Sequence, residues 1–267
     1  MSLTRSQILD LRDLRHRKVR EQTKSFIVEG AKSVMELRRS PLGAQRIWAT
    51  AKGIESLPQD IHSEVEILDN ATMNRISSMK NAPGVLALGR LPVWSSEEWH
   101  RKVNAEITPL VLVADAMNDP GNVGTMIRTA EWFGCAGIVL TEGSADAFNA
   151  KSVQASMGSV FRLPILNTDS SSFLGQWLGD VAVLDAHGTS IYDHEPRHGR
   201  SLALVVGSES HGPSEAWLAA PHKLMGIPKG NRAAGIPTES LNAAIAAAIG
   251  LSEINRKLLA TVERPGH

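Results

Sequence analysis

Short apolar runs, separated by glycine, proline and charge, follow one another along the whole chain. Leu9, Leu11, Leu14 and Val19 stand among charged residues and predict helix ahead of Phe26-Ile27-Val28, a run short enough for a strand. Residues 31–37 read as a helix stopped near Pro41-Leu42-Gly43. Residues 46–49, 65–68 and 84–89 read as further strands, so residues 1–90 form a small α/β domain. Residues 91–108, with Pro92, Trp94, a Ser-Ser pair and several charges, read as a linker or a connecting helix. From Pro109 strands and helices alternate. Strands are expected at 110–114, 137–141, 181–184 and 202–206, and at Leu224-Met225-Gly226. Helices are expected from a cap at Asn122 to about Trp132, over 150–157, and from a cap at Thr238 to near Leu259. This alternation predicts a second α/β domain over 109–267, a parallel sheet with helices on both faces. Ligands of such sheets bind in the loops beyond the carboxyl ends of the strands.

Composition narrows the class. No apolar run approaches the roughly 18 residues that span a bilayer, and the first residues, with Arg5, Asp10, Arg12 and Asp13, lack the apolar core of a signal peptide. Cys135 is the only cysteine, which excludes an internal disulfide and a multi-cysteine metal site. The nine histidines show no ligand spacing. A cytoplasmic location without metal or membrane is the expectation. Net charge is zero, but residues 1–46 hold eleven Lys/Arg against five Asp/Glu, leaving +6 there and −6 in the rest. Such a segment attracts phosphates or simply keeps a helix face solvated, and charge alone leaves both open.

Three segments carry candidate chemistry. Asp115-Ala116-Met117-Asn118-Asp119-Pro120-Gly121-Asn122-Val123-Gly124 runs into Ile127-Arg128-Thr129-Ala130. Gly207-Ser208-Glu209-Ser210-His211-Gly212 follows a strand and lacks both the Gly-x-Gly-x-x-Gly spacing and a P-loop lysine, so nucleotide phosphates are not its obvious ligand. Ile227-Pro228 is followed by Ser240-Leu241-Asn242 and an Ala-rich stretch suited to close helix packing. Read singly, each is an ordinary turn or a buried helix.

In this order, however, Asn-x-Gly with Arg-Thr-Ala, Gly-x-Glu-x-x-Gly, and Ile-Pro with Ser-Leu-Asn resemble the three motifs of the SpoU, or TrmH-like, branch of the SPOUT methyltransferases. Residues 151–164 are similar to the family's segment between the first two motifs, and Lys24-Ser25-Phe26-Ile27-Val28-Glu29-Gly30 is similar to its RNA-recognising module. Two departures stand out. Lys229 follows Ile227-Pro228 where the family usually has Met, and a Gly/Ala-rich stretch brings a second pair, Ile236-Pro237. Ile227-Pro228 is preferred because the strand Leu224-Met225-Gly226 precedes it.

The resemblance implies a carboxyl-terminal SPOUT domain closed by a deep trefoil knot, paired as a homodimer and preceded by a small RNA-binding domain. It implies S-adenosyl-L-methionine as cofactor and methyl transfer to a ribose 2′-hydroxyl of structured RNA, ribosomal ahead of transfer RNA. Ala186, Gly207, Ser208, Glu209, Ile227, Pro228, Ser240 and Leu241 would line the cofactor pocket. Arg128 would act on the hydroxyl, with Asn122, Glu209, Ser240 and Asn242 orienting it and the ribose. Two other classes compete. A non-catalytic RNA-binding protein of the same fold is disfavoured by the joint presence of Arg128, Glu209, Ser240 and Asn242. A nucleotide-dependent oxidoreductase is disfavoured by the missing dinucleotide fingerprint.

Overall fold

The computed structural model of the protein describes residues 3–107, 109–197, 199–230 and 240–262, the side chains of 260–262 excepted. The chain divides into two units, Met1–Val93 with Asp146–Arg162, and Trp94–Ala145 with Leu163–His267. No helix among the described residues is long and apolar enough to cross a membrane.

In the first unit α1 (Arg5–Asp13) opens on a capping box. The Gln7 amide donates to Thr4 Oγ1 (3.3 Å) and the Thr4 amide to Gln7 Oε1 (2.9 Å), satisfying two donors that have no partner within the helix. α2 (Arg17–Thr23) stops at Lys24, whose backbone is left-handed (φ 52°), and the chain enters β1 (Ser25–Glu29). α3 (Ala31–Arg39), β2 (Ala44–Ala49), β3 (Val65–Ile67), α4 (Asn70–Ile76) and β4 (Val85–Arg90) follow. The sheet order is β1-β4-β2-β3, with β2 and β3 parallel and the other neighbours antiparallel. Ile8, Trp48, Leu68, Met73, Ile76 and Leu86 form one core cluster. The period-two pattern of β1 buries Phe26 and Val28.

The second unit begins with α5 (Ser96–Val103), inside the stretch expected as a linker or a connecting helix. The Ser95–Glu98 capping box starts this helix, and Trp99 anchors it, fully buried and donating from Nε1 to the Pro164 carbonyl (3.2 Å). Next come β5 (Leu110–Ala114), α6 (Pro120–Trp132), β6 (Gly137–Leu140) and α7 (Ala150–Ser156), the last of which belongs to the first unit. β7 (Ile165–Asn167), α8 (Ser170–Gln176), β8 (Asp180–Ser190), β9 (Leu202–Val206), α9 (Glu215–Ala219), β10 (Lys223–Gly226) and α10 (Ala243–Val262) complete the chain. Six strands run parallel in the order β10-β8-β9-β5-β6-β7. Every residue of β5, β6 and β9 is buried, the continuous apolar pattern of strands covered on both faces. The aromatic rings of Trp99, Phe173, Trp177 and Trp217 cluster on the sheet. α10 packs on α6, β9 and β8, close enough that a Cβ on Gly250 would stand 3.0 Å from side-chain carbons of Leu184 and Leu204.

Residues 146–162 lie beyond β6 in sequence and complete the core of the first unit. The Phe26 ring meets Phe148 edge-on (4.9 Å) and stacks on Phe161 (5.8 Å). Arg162 pairs with Glu36 at 2.7 Å. The buried Arg20 guanidinium donates to the carbonyls of Leu14 (2.7 Å) and Arg15 (2.8 Å) and pairs with Asp146. Removing the carboxylate leaves that charge buried without its counter-ion, so Asp146→Ala should destabilise the protein by about 3 kcal/mol. A lower urea midpoint by circular dichroism is the expected result.

Candidate active site

Pairing sets Val206, Ala114 and Leu140, the last residues of β9, β5 and β6, level with one another and with Leu184 of β8. The loops that follow β5, β6 and β9 therefore leave the sheet at one edge. The buried carboxylate of Asp115 organises this edge. Its Oδ1 accepts from Thr141 Oγ1 (2.8 Å) and Ser170 Oγ (3.3 Å), and its Oδ2 accepts from the Ser214 amide (2.7 Å). One side chain thus pins the ends of β5 and β6, the start of α8 and the far end of the loop after β9. The sequence reading assigned Asp115 no role, although an acid directly after five buried apolar residues is a usable signal. Ala116 takes a left-handed backbone (φ 51°), and its amide donates to Thr141 Oγ1 (2.9 Å).

The helix that carries the first motif starts at Asp119, not Asn122. Asp119 Oδ1 accepts from the Asn122 amide (2.9 Å), and Pro120 occupies the first helical position, where no amide is needed. With Asp119 as the cap, the Asn122 side chain is left for other work. Its Nδ2 donates to Glu209 Oε1 (3.1 Å), and its Oδ1 accepts from Asn242 Nδ2 (3.0 Å). Glu209 Oε1 also accepts from Asn242 Nδ2 (2.6 Å) and from the Ala243 amide (3.1 Å). Asn242 Oδ1 accepts from the amides of Ala244 (3.0 Å) and Ile245 (3.2 Å), so Asn242 caps α10. Thr238, the expected cap, lies outside the described residues, as does Ile236-Pro237.

Gly207 opens the loop after β9 because a Cβ there would lie 2.1 Å from the Gly212 carbonyl carbon. The loop closes on itself through the Gly212 amide and the Ser208 carbonyl (2.9 Å), with Ser208 buried and Glu209 exposed beyond it. β10 pairs with β8 across a register shift, from Leu224↔Val183 to Met225↔Thr189. The intervening residues, exposed Ala186 among them, wrap Met225 and Gly226 so tightly that a Cβ on Gly188 would stand 2.3 Å from the Met225 carbonyl carbon. β8 is accordingly longer than the four residues expected. Half-buried Ile227 and exposed Pro228 leave β10 beside this wrap, and exposed Ser240 and Leu241 lead into α10.

Hydrogen bonds thus join Asn122, Glu209 and Asn242, and place Gly207 and Ser208 in the adjoining loop. They do not join Arg128, which is exposed on α6 with no hydrogen bond or ion pair to any described residue. Burial pushes the Cys135 thiol up to about 12, so it is no nucleophile at neutral pH. Among the described residues no group of three or more His, Cys, Asp or Glu is arranged to hold a metal.

Residues 109–252 match the model of the SpoU rRNA Methylase family, and residues 5–87 match an MRM3-like substrate binding domain. The chain is similar to the 23S rRNA (guanosine(2553)-2'-O)-methyltransferase RlmP of Bacillus subtilis, at 30% identity over 93% of this chain and 95% of that one. It is similar in structure to a candidate RNA methyltransferase of the TrmH family from Porphyromonas gingivalis (TM-score 0.79, 33% identity, 96% and 100% of the two chains). An AdoMet-bound rRNA methyltransferase from Sinorhizobium meliloti gives the same TM-score of 0.79 at 27% identity, with 97% of each chain covered.

The three-way network makes a local prediction. Glu209→Ala removes the acceptor of the Ala243 amide and of two side-chain amides. Hydrogen exchange at Ala243 should then quicken at least tenfold (a few hydrogen bonds' worth of local opening), while β5 and β9 keep their protection.

Proposed function

Because the chain belongs to the SpoU rRNA methylase family, we propose that it transfers a methyl group from S-adenosyl-L-methionine to a ribose 2′-hydroxyl of ribosomal RNA. The observation that carries this reading is the Asn122–Glu209–Asn242 network, which unites three separate motif segments at one edge of the sheet. The residues there fit an adenosyl ligand. Gly207, Ser208 and the Ala186 loop offer backbone donors and acceptors for the edge of an adenine. Ile227, Pro228 and Leu241 offer apolar cover, and Ser240 adds a hydroxyl. Bound there, S-adenosylmethionine supplies a methyl group on a sulfonium, already an excellent leaving group.

What remains for the protein is to position the ribose and ease loss of the hydroxyl proton. Glu209 and the two asparagines hold the loops in register, which supplies orientation. Arg128, with no described internal partner, has its guanidinium available for RNA. A guanidinium carries only donors and keeps its proton in proteins, so its role is to donate hydrogen bonds to the developing alkoxide or the adjacent phosphate. RNA is drawn by the first unit, whose 17 Lys/Arg face 11 Asp/Glu, against a net −6 in the second.

The reading carries with it a knotted carboxyl-terminal portion, one of the rare exceptions to unknotted topology, and a homodimer. The small residues Ala243, Ala244 and Ala247 are buried inside the unit, so α6 and α10 would offer a second copy Trp132 (83% exposed), Ile245 and Leu259.

Calorimetry with a chelator present should register S-adenosylmethionine binding; none at millimolar cofactor would remove the enzymatic reading. Arg128→Ala should leave cofactor affinity within a few-fold while single-turnover methylation falls roughly 100-fold or more, the scale of a lost transition-state donor. Arg128→Lys keeps the charge but not the planar fork, and should restore little of the rate. Near wild-type turnover in Arg128→Ala would overturn the assignment.

A further inference from the structure

A cavity of about 210 Å³ lies in the first unit, and none of the candidate site residues lines it. Ile27 and Met79, from β1 and the segment after α4, and Val153, from α7, supply its apolar walls. Glu29, Ser78, Lys151 and Gln154 supply its polar groups. We propose that this cavity receives a single unstacked nucleobase of the RNA substrate, an inference that rests on the function proposed above.

The chemistry of the lining selects the occupant. The Glu29 carboxylate already accepts from Ser77 Oγ, the Ser78 amide (2.9 Å) and Ser78 Oγ (2.5 Å). With three of about four lone-pair positions engaged, it is poorly placed to ligate a cation. The Ser78 hydroxyl spends its proton on Glu29 and so presents lone pairs. The Gln154 carboxamide is exposed on α7, makes no hydrogen bond to any described residue, and brings both donors and an acceptor. Apolar walls with a mixed donor–acceptor rim suit a planar heterocycle, which such pockets read along its edge after it leaves the stack. The volume sits below the roughly 300 Å³ of ordinary small-molecule sites, which favours a base over a whole nucleotide.

Placement agrees with this occupant. Ile27, Glu29, Ser78 and Met79 lie within the substrate-binding match, whereas Val153 and Gln154 lie within the SpoU match. The surrounding unit carries the +6 balance, so phosphates approach a positive unit while the slot, with Glu29 set against Lys151, is formally neutral and takes the base.

The test uses the full-length protein with oligoribonucleotide decamers of each base and an abasic ribose-phosphate decamer of equal charge. Fluorescence anisotropy at fixed salt should show wild type binding at least one base-bearing decamer ten-fold or more tighter than the abasic one. Gln154→Trp, made at an exposed helical position, should fill the slot and erase that preference, with S-adenosylmethionine affinity unchanged. Met79→Ala, a milder change, should reduce the preference several-fold. Equal binding of base-bearing and abasic decamers by wild type, or a full preference retained by Gln154→Trp, would overturn the proposal. Methylation of ribosomal RNA by wild type in the same preparation separates the two readings. Turnover without base preference sinks the cavity alone, and no turnover with no RNA binding sinks the function and the cavity with it.

Discussion

A single carboxylate oxygen, Oε1 of Glu209, accepts hydrogen bonds from Asn122, from Asn242 and from the first amide of α10. These donors come from positions 122, 242 and 243, far from 209 in sequence, so only a folded sheet brings them within reach. The oxygen also faces the partial positive charge of a 20-residue helix's amino end, which favours an anion there. Asp115 does the complementary job, buried and bound to groups on three other segments. One carboxylate fixes the loop ends from inside the sheet and the other ties their tips together. The loops after β5, β6 and β9 and the start of α10 are held in place by these two acids.

The dependence explains why glycine sits where it does. The loop after β9 must double back within six residues, and the β8 wrap must clear the β10 backbone. Any side chain at Gly207 or Gly188 would overlap main-chain atoms at 2.1 or 2.3 Å. Such contacts leave no neighbour that can swing aside, since the obstructing atoms are backbone rather than flexible side chain. Shape in this part of the protein is set by main-chain approach more than by side-chain packing.

Much of this was legible in the sequence. β5, β6 and β9 announce themselves as unbroken apolar runs, because strands covered on both faces carry no alternation to confuse them. The membership of Asn122, Glu209 and Asn242 in one site was legible only as ordered motifs; nothing in their local surroundings pairs them. The short helices α4, α8 and α9 escaped because five to seven residues give too few turns for a period to show. Their Asp69 and Asp169 caps were the available clue for the first two. The start of α6 was misread for a different reason. Asp-Pro followed by Gly-Asn offers two residues able to cap, and proline's tolerance for the first helical position decides for Asp119. Of the two readings of 91–108, linker or connecting helix, Ser95-x-x-Glu98 decides for a helix, because it forms a capping box.

The assignment of 146–162 to the first unit has a consequence for synthesis. A ribosome delivers residues 1–93 first, but Phe26 and Arg20 then wait for Phe148, Phe161 and Asp146. At about 5–20 residues per second the intervening stretch of roughly 70 residues takes several seconds to emerge. During that interval an aromatic face and a cation that end up buried are open to water, to chaperones and to neighbouring nascent chains. The first unit is therefore complete only after about a third of the second has been made, and its order of assembly departs from its order of translation.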